Sequence, residues 1–106
     1  MDDASRQDAA LDAIGDPTRR AILRALSGAP STVGVLAEAL PVSRPAVSQH
    51  LKVLREAGLV TVERRGTRSV HALDPTGIGG VRDWLDTLWD DALEAFAAAA
   101  KEENER

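Results

Sequence analysis

The sequence predicts a mainly α fold carrying one β-hairpin, an α+β arrangement within a chain of 106 residues. Three observations carry that expectation. Asp16, Thr32 and Ser43 each stand just ahead of a run with helical apolar spacing, where a short polar side chain can cap a helix. The second and third of these runs are separated only by Pro41 and Val42, so two helices are joined by a tight turn. After Gly58 the pattern changes to alternation, with Val60, Val62, Val70 and Ala72 set among polar residues about Arg64-Arg65-Gly66-Thr67.

Taken in order, Ala9, Ala10, Leu11, Ala13 and Ile14 form a short helical segment from about Gln7, ended by Gly15. It is too short to be stable alone. Asp16 and Pro17 restart the chain as an N-cap and a first-turn proline, and Ala21, Ile22, Ala25 and Leu26 follow at helical spacing up to Gly28-Ala29-Pro30. Arg19, Arg20 and Arg24 on this helix are read as a solvated or salt-bridged face. Thr32 caps the next helix, whose Val35, Leu36, Ala39 and Leu40 are expected to pack inward.

The helix beginning at Ser43 organises the rest. Pro45 falls where an N–H has no intrahelical partner, and Gly58 supplies the left-handed stop. On a helical wheel Val47, Leu51 and Leu54 share an apolar stripe, with Pro45, Ser48, Gln49, Lys52 and Glu56 opposite. The outward residues near the N-terminus are short and able to donate and accept, and Arg44 can grip a phosphate or a guanine edge, which suits a major groove. Those residues alone serve an ordinary amphipathic helix with a solvated face equally well. The context favours DNA: a supporting helix lies before them, and after them comes a hairpin whose tip gathers Arg64, Arg65 and Arg68, suited to a phosphate backbone or a minor groove.

Asp74-Pro75-Thr76-Gly77 is expected to break the second strand, with a long helix over about 78–102 and a frayed tail to Arg106. Val81, Trp84, Leu85, Leu88, Ala92 and Phe96 make one apolar face of that helix, which Trp89 and Leu93 widen. So broad a face needs two surfaces to cover it, its own domain and a symmetry-related copy, with Leu11 and Ile14 adding apolar cover from the first helix.

The net charge of −4 conceals a division along the chain. Between Ser43 and Leu73 lie Arg44, Lys52, Arg55, Arg64, Arg65 and Arg68 against only Glu56 and Glu63, while from Pro75 onward acids dominate. Local charge binds phosphate, so the acidic end is expected to sit away from nucleic acid. The chain has no cysteine, which removes disulfides, thiolate catalysis and cysteine-based metal sites. No secretory signal or membrane-spanning run is present, and the expected compartment is the cytoplasm. The serines have no evident His-acid partners and no glycine-rich loop opens a phosphate-binding helix, so an enzyme is not expected.

Asp16-Pro-Thr-Arg-Arg-Ala-Ile-Leu-Arg-Ala-Leu26, Leu36-Ala-Glu-Ala-Leu40, Ser43 through Val60 and the arginine-rich hairpin together resemble the ArsR/SmtB family of winged helix-turn-helix transcriptional regulators, over roughly residues 10–73. The resemblance implies one winged-helix domain over 1–106, with the helix-turn-helix at about 32–57, the wing at about 60–73 and a C-terminal dimerisation helix at about 78–102. It further implies a homodimer held by the terminal helices, sequence-specific binding to a pseudo-palindromic stretch of double-stranded DNA, and repression by excluding polymerase. The candidate DNA-binding residues are Thr32, Ser43, Arg44, Pro45, Ser48, Gln49, His50, Lys52, Arg64, Arg65 and Arg68. Those for the dimer interface are Leu11, Ile14, Val81, Trp84, Leu85, Leu88, Trp89, Leu93 and Phe96.

Many members of that family sense metals through cysteines near the supporting helix or through Asp/His sites on the terminal helix. Here Thr32 to Leu40 and Asp83 to Glu94 contain neither Cys nor His, and His50 and His71 have no ligand partner at suitable spacing, so no metal or other cofactor is expected. Two alternatives remain at this stage. One is a winged helix serving as a protein-interaction module, which should lack the basic face and wing; the other is a ligand- or metal-responsive member, whose ligand the residues do not name.

Overall fold

The computed structural model describes residues 2–105; Met1 and Arg106, the ends of the expected domain span, lie outside the described residues. The elements follow the order α1 (Asp3–Ile14), α2 (Pro17–Gly28), α3 (Val33–Ala39), α4 (Arg44–Glu56), β1 (Val60–Arg65), β2 (Arg68–Leu73) and α5 (Pro75–Asn104). Five helices and one antiparallel hairpin match the α+β fold class read from the sequence.

Each helix starts where a side chain can satisfy a first-turn amide. Asp2 accepts from Ser5 N at 2.7 Å, Asp16 from Arg19 N at 3.0 Å, Thr32 from Val35 N at 3.3 Å, Ser43 from Ala46 N at 3.2 Å and Asp74 from Thr76 N at 3.0 Å. Such a cap is worth about 1 kcal/mol. Asp2 therefore starts α1 four residues before the expected Gln7, and Asp74 starts α5 at Pro75 instead of Ile78. The tail expected to fray continues as helix to Asn104.

The end of α4 is fixed as tightly as its start. Gly58 has φ +79°, Gly58 N donates to Arg55 O at 3.0 Å, and Leu59 N donates to Leu54 O at 2.9 Å. These are the paired bonds of a Schellman motif, and the accompanying apolar contact is present because Leu54 and Leu59 are both fully buried.

Ala10, Ala13, Ile22, Leu26, Leu36, Val47, Leu51, Leu54, Leu59 and Val60 form the core. Helix α4 lies at its centre, packed against α1, α2, α3 and β1. Full burial of a Leu, Ile or Val side chain contributes about 1.5–3 kcal/mol, so the stripe of Val47, Leu51 and Leu54 holds α4 firmly on one side. Val35 and Ala39, both expected to point inward, are instead exposed on α3, Val35 at 54%.

β1 and β2 pair in the register Val60↔Leu73, Val62↔His71, Glu63↔Val70 and Arg65↔Arg68. Because paired residues share a face, Val60, Val62, His71 and Leu73 lie on one side and Val70 and Ala72 on the other. The four alternating apolar residues thus do not form one inward set: Val60 is buried, Val62 is exposed, and the buried residue of β2 is His71. Only Gly66 of the two turn residues has positive φ, +63°, the arrangement that places Gly first in a two-residue type II′ hairpin turn. A further bridge joins Ser31, in the loop between α2 and α3, to His71 through Ser31 N to His71 O at 2.9 Å and His71 N to Ser31 O at 2.8 Å.

Helix α5 departs from the body. It packs against α1, yet none of its residues is fully buried, and its 30 residues span about 45 Å of a molecule whose longest dimension is 69 Å. Among the described residues no helix is long and apolar enough to cross a membrane.

Candidate nucleic-acid interface

The outward face of α4 is free. Arg44, Pro45, Ser48, Gln49 and Lys52 are exposed, while Val47, Leu51 and Leu54 on the opposite side are fully buried. Ser43 is exposed too, with its hydroxyl oxygen engaged by Ala46 N. Thr32 is half-buried, and its Oγ1 accepts from Val35 N. The Arg44 guanidinium makes no hydrogen bond or ion pair among the described residues and lies beside Gly34 of α3.

His50 lies at the edge of that face. It is half-buried and lies near Asp16 at the start of α2. The Asp16 carboxyl is held below the ordinary carboxylate range chiefly by the Arg19 backbone N–H, which outweighs its desolvation, with smaller help from the Arg19 guanidinium, His50 and the Thr18 backbone.

The hairpin tip presents Arg64, Arg65 and Arg68, all exposed. Arg64 Nε donates to Gly66 O at 3.2 Å, and Arg65 Nη2 meets Glu63 Oε2 at 3.3 Å. An ion pair this exposed contributes only about 0–1 kcal/mol, so Glu63 is a weak competitor for a phosphate. Arg65 and Arg68 are direct cross-strand partners, and like charges so placed disfavour the hairpin. A polyanion lying along the tip would relieve that repulsion.

Arg55, counted among the cations of this region, is used elsewhere. Its Nη1 lies 3.2 Å from His71 Nε2, joining the last turn of α4 to the wing. Since a guanidinium only donates, Nε2 accepts, and the neutral imidazole carries its proton on Nδ1. His71 is 3% exposed, and Nδ1 has no hydrogen-bond partner among the described residues. Burial pushes the His71 pKa down, the Arg55 charge pushes it the same way, and the Ser69 backbone opposes them.

Among the described residues Arg19 and Arg20 form no salt bridge, yet they are not idle. Arg19 Nε donates to Ala13 O at 2.6 Å and Arg20 Nη1 to Ile14 O at 2.8 Å, so they close the C-terminal end of α1. Among the candidate interface residues, Leu85, Leu88, Trp89, Leu93 and Phe96 are exposed, with Trp89 at 64% and Phe96 at 75%. Trp84 is half-buried, so of the two tryptophans expected at the surface only Trp89 is broadly open. Leu11 is half-buried, and Ile14 and Val81 are half-buried against the protomer's own core. Ala10, read as part of the same short apolar helix, is in the core itself.

Sequence reasoning missed the Ser31–His71 bridge and the Arg55–His71 contact, and no local pattern announces either. It also missed Asp74 as a cap, although Asp74-Pro75 repeats the Asp16-Pro17 signal.

A polar-faced second helix behind a tight turn, followed by an arginine-tipped hairpin, defines a winged helix-turn-helix protein. Residues 14–63 match the helix-turn-helix domain family. The HTH-type transcriptional regulator Rv2034 of Mycobacterium tuberculosis is 54% identical over 90 residues, covering 85% of this chain and 84% of that protein. The transcriptional repressor SdpR of Bacillus subtilis is 37% identical over 73 residues, 69% of this chain and 81% of its own. An ArsR-like transcriptional regulator from Rhodococcus sp. RHA1 superposes with a TM-score of 0.77 at 29% identity, covering 92% of this chain and 94% of that one. The chain belongs to the ArsR/SmtB family of winged helix-turn-helix regulators, and its function is that of a DNA-binding transcriptional regulator.

Proposed function

We propose that this regulator is a cytoplasmic repressor acting as one winged-helix domain, and that it binds a pseudo-palindromic operator as a homodimer without a metal or other cofactor. The observation that carries the reading is the division of α4, whose Arg44, Pro45, Ser48, Gln49 and Lys52 are exposed opposite a fully buried stripe. Ser48 and Gln49 read base edges, Arg44 grips a phosphate or a guanine, and Thr32, Ser43, His50 and Lys52 set the register on the backbone. Arg64, Arg65 and Arg68 hold the flanking phosphates or minor groove. The repressor SdpR, similar over most of its length, supports the direction of control.

Dimerisation rests on α5. A protomer that exposes Leu85, Leu88, Trp89, Leu93 and Phe96 along one helix gains most by covering them with the same face of a copy, aided by Leu11, Ile14, Val81 and Trp84. Two-fold pairing places two α4 helices in successive major grooves about 34 Å apart. No pair of nucleophile and base, and no glycine-rich phosphate cradle, supports an enzyme reading.

Selection of bound fragments from random duplexes tests the whole reading: the recovered motif should be an inverted repeat with half-sites about one helical turn apart. Sedimentation at micromolar concentration should give a dimer, and Trp89→Glu or Leu93→Glu a partly folded monomer with little operator affinity. A wild-type monomer that binds one half-site with full affinity refutes it.

A further inference from the structure

We propose that Gly34 is a positioning residue for DNA recognition, its bare α-carbon serving as the platform against which the Arg44 guanidinium is stacked. The inference rests on the reading of α4 as the DNA-contacting helix and extends it to a residue of α3 that touches no DNA itself.

Glycine is an unfavourable choice at this position. Gly34 sits in the first turn of a helix of only seven residues, where glycine is among the poorest formers. Conformational freedom does not account for it, because the glycines with positive φ are Gly58 and Gly66. Close approach does. A Cβ built on Gly34 would lie 3.3 Å from Arg44 Nη2, 3.5 Å from Cζ and 3.8 Å from Nη1, and these three nearest atoms belong to one guanidinium. The spread of distances is small beside the width of the group, so the guanidinium presents its face to Gly34 and not an edge.

A face-on approach has a chemical consequence. All five donors of a guanidinium lie in its plane, so stacking leaves them free for a bidentate pair with a phosphate or with O6 and N7 of guanine. With no polar partner among the described residues, Arg44 depends on this packing to limit its rotamers before DNA arrives. Ordering a long side chain in advance removes part of the entropic cost of binding. A methyl group at position 34 pushes the guanidinium back by a few tenths of an ångström, and a larger side chain should displace it further.

The test uses full-length protein and the duplex recovered by random selection with the wild type. Gly34→Ala, Gly34→Leu, Arg44→Ala and the double variant Gly34→Ala/Arg44→Ala are compared for thermal midpoint and for Kd. Gly34→Ala should keep or raise the midpoint, since alanine is the better helix former, yet weaken binding about two- to tenfold, the range set by ordering one long side chain. Gly34→Leu should weaken it further. In the Arg44→Ala background the Gly34→Ala step should change Kd by less than about twofold, because its effect passes through Arg44. If Arg44→Ala weakens binding and Gly34→Ala does not, the platform is overturned while the DNA role of Arg44 stands. Equal weakening by Gly34→Ala with and without Arg44 places its effect elsewhere and also overturns it. Wild-type affinity in Arg44→Ala removes Arg44 from the interface, and the inference falls with that reading.

Discussion

Replacing Gly77 by alanine should strain the junction between α5 and the body and destabilise the protein. In an open helix this change is favourable by about 0.5–1 kcal/mol, because alanine loses less backbone freedom than glycine. Gly77 is not in an open helix. A Cβ built there would overlap the carbonyl oxygen of Gly58, lie 2.7 Å from the Gly58 carbonyl carbon and 3.3 Å from Leu59 Cα. Every one of those atoms is backbone, held by the Schellman bonds at the end of α4 and by Asp74 N donating to Leu59 O at 2.9 Å, so no side chain can swing aside. To restore van der Waals separations of about 3.5 Å, α5 must retreat from the turn. Overpacking against rigid backbone falls toward the upper part of the usual range, about 2–3 kcal/mol, so after the helix gain a net loss of about 1–2 kcal/mol remains. For a chain of this size each kcal/mol moves the midpoint by about 4–8 °C, so Gly77→Ala should melt roughly 5–15 °C below wild type. Gly79, two residues on in the same helix, meets nothing within 4 Å, and Gly79→Ala should melt at or above wild type. Circular dichroism melts at one fixed protomer concentration separate the two. A Gly77→Ala variant as stable as wild type would refute the close approach.

The remaining predictions concern the wing, pH and metals. Arg65→Ala should weaken binding to all duplexes similarly and lower the slope of log K against log salt by about one, since its partner Glu63 holds it only weakly; an unchanged slope means that Arg65 touches no phosphate. Burial holds the folded-state pKa of His71 below its ordinary 6.5, so the unfolded chain binds more protons there. The stability from His71 is therefore fully present above about pH 6.5 and is lost as pH falls through the folded-state value. Urea midpoints should decline over that window for wild type and less for His71→Gln, and equal declines would show that His71 is not the titrating group. Zinc, nickel or cobalt at one equivalent should leave operator affinity unchanged, because no cluster of three or more His, Asp or Glu side chains is placed to hold an ion among the described residues. Tight zinc binding coupled to loss of DNA would contradict this.

What could be read in advance was whatever depends on neighbours in sequence. Asp16, Thr32 and Ser43 announce helices because a cap acts within three residues, and Gly58 and Gly66 announce turns because the required φ belongs to the glycine itself. The α4 stripe is legible for the same reason, since its period is local. The inward face of β2 was not, because Val70 and Ala72 satisfy alternation as well as His71 and Leu73 do, and only pairing with β1 chooses between them. A buried histidine is unexpected until Arg55, 16 residues away, is brought to it. The roles of Gly34 and Gly77 are likewise set by contacts with other elements, Arg44 in one case and the Gly58 carbonyl in the other.

The bridge between Ser31 and His71 makes the wing a cantilever. Its root is clamped by two reciprocal backbone bonds of 2.9 and 2.8 Å, while Gly66 at its free end lies five residues from His71, about 17 Å of strand. In a beam held at one end, deflection under a load grows steeply with distance from the clamp, so a load on the tip would displace it far more than the root. The clamp is not anchored in the sheet alone: Ser31 directly precedes Thr32, the cap of α3. A load applied to the arginines at the tip would thus reach the start of the helix that packs against α4.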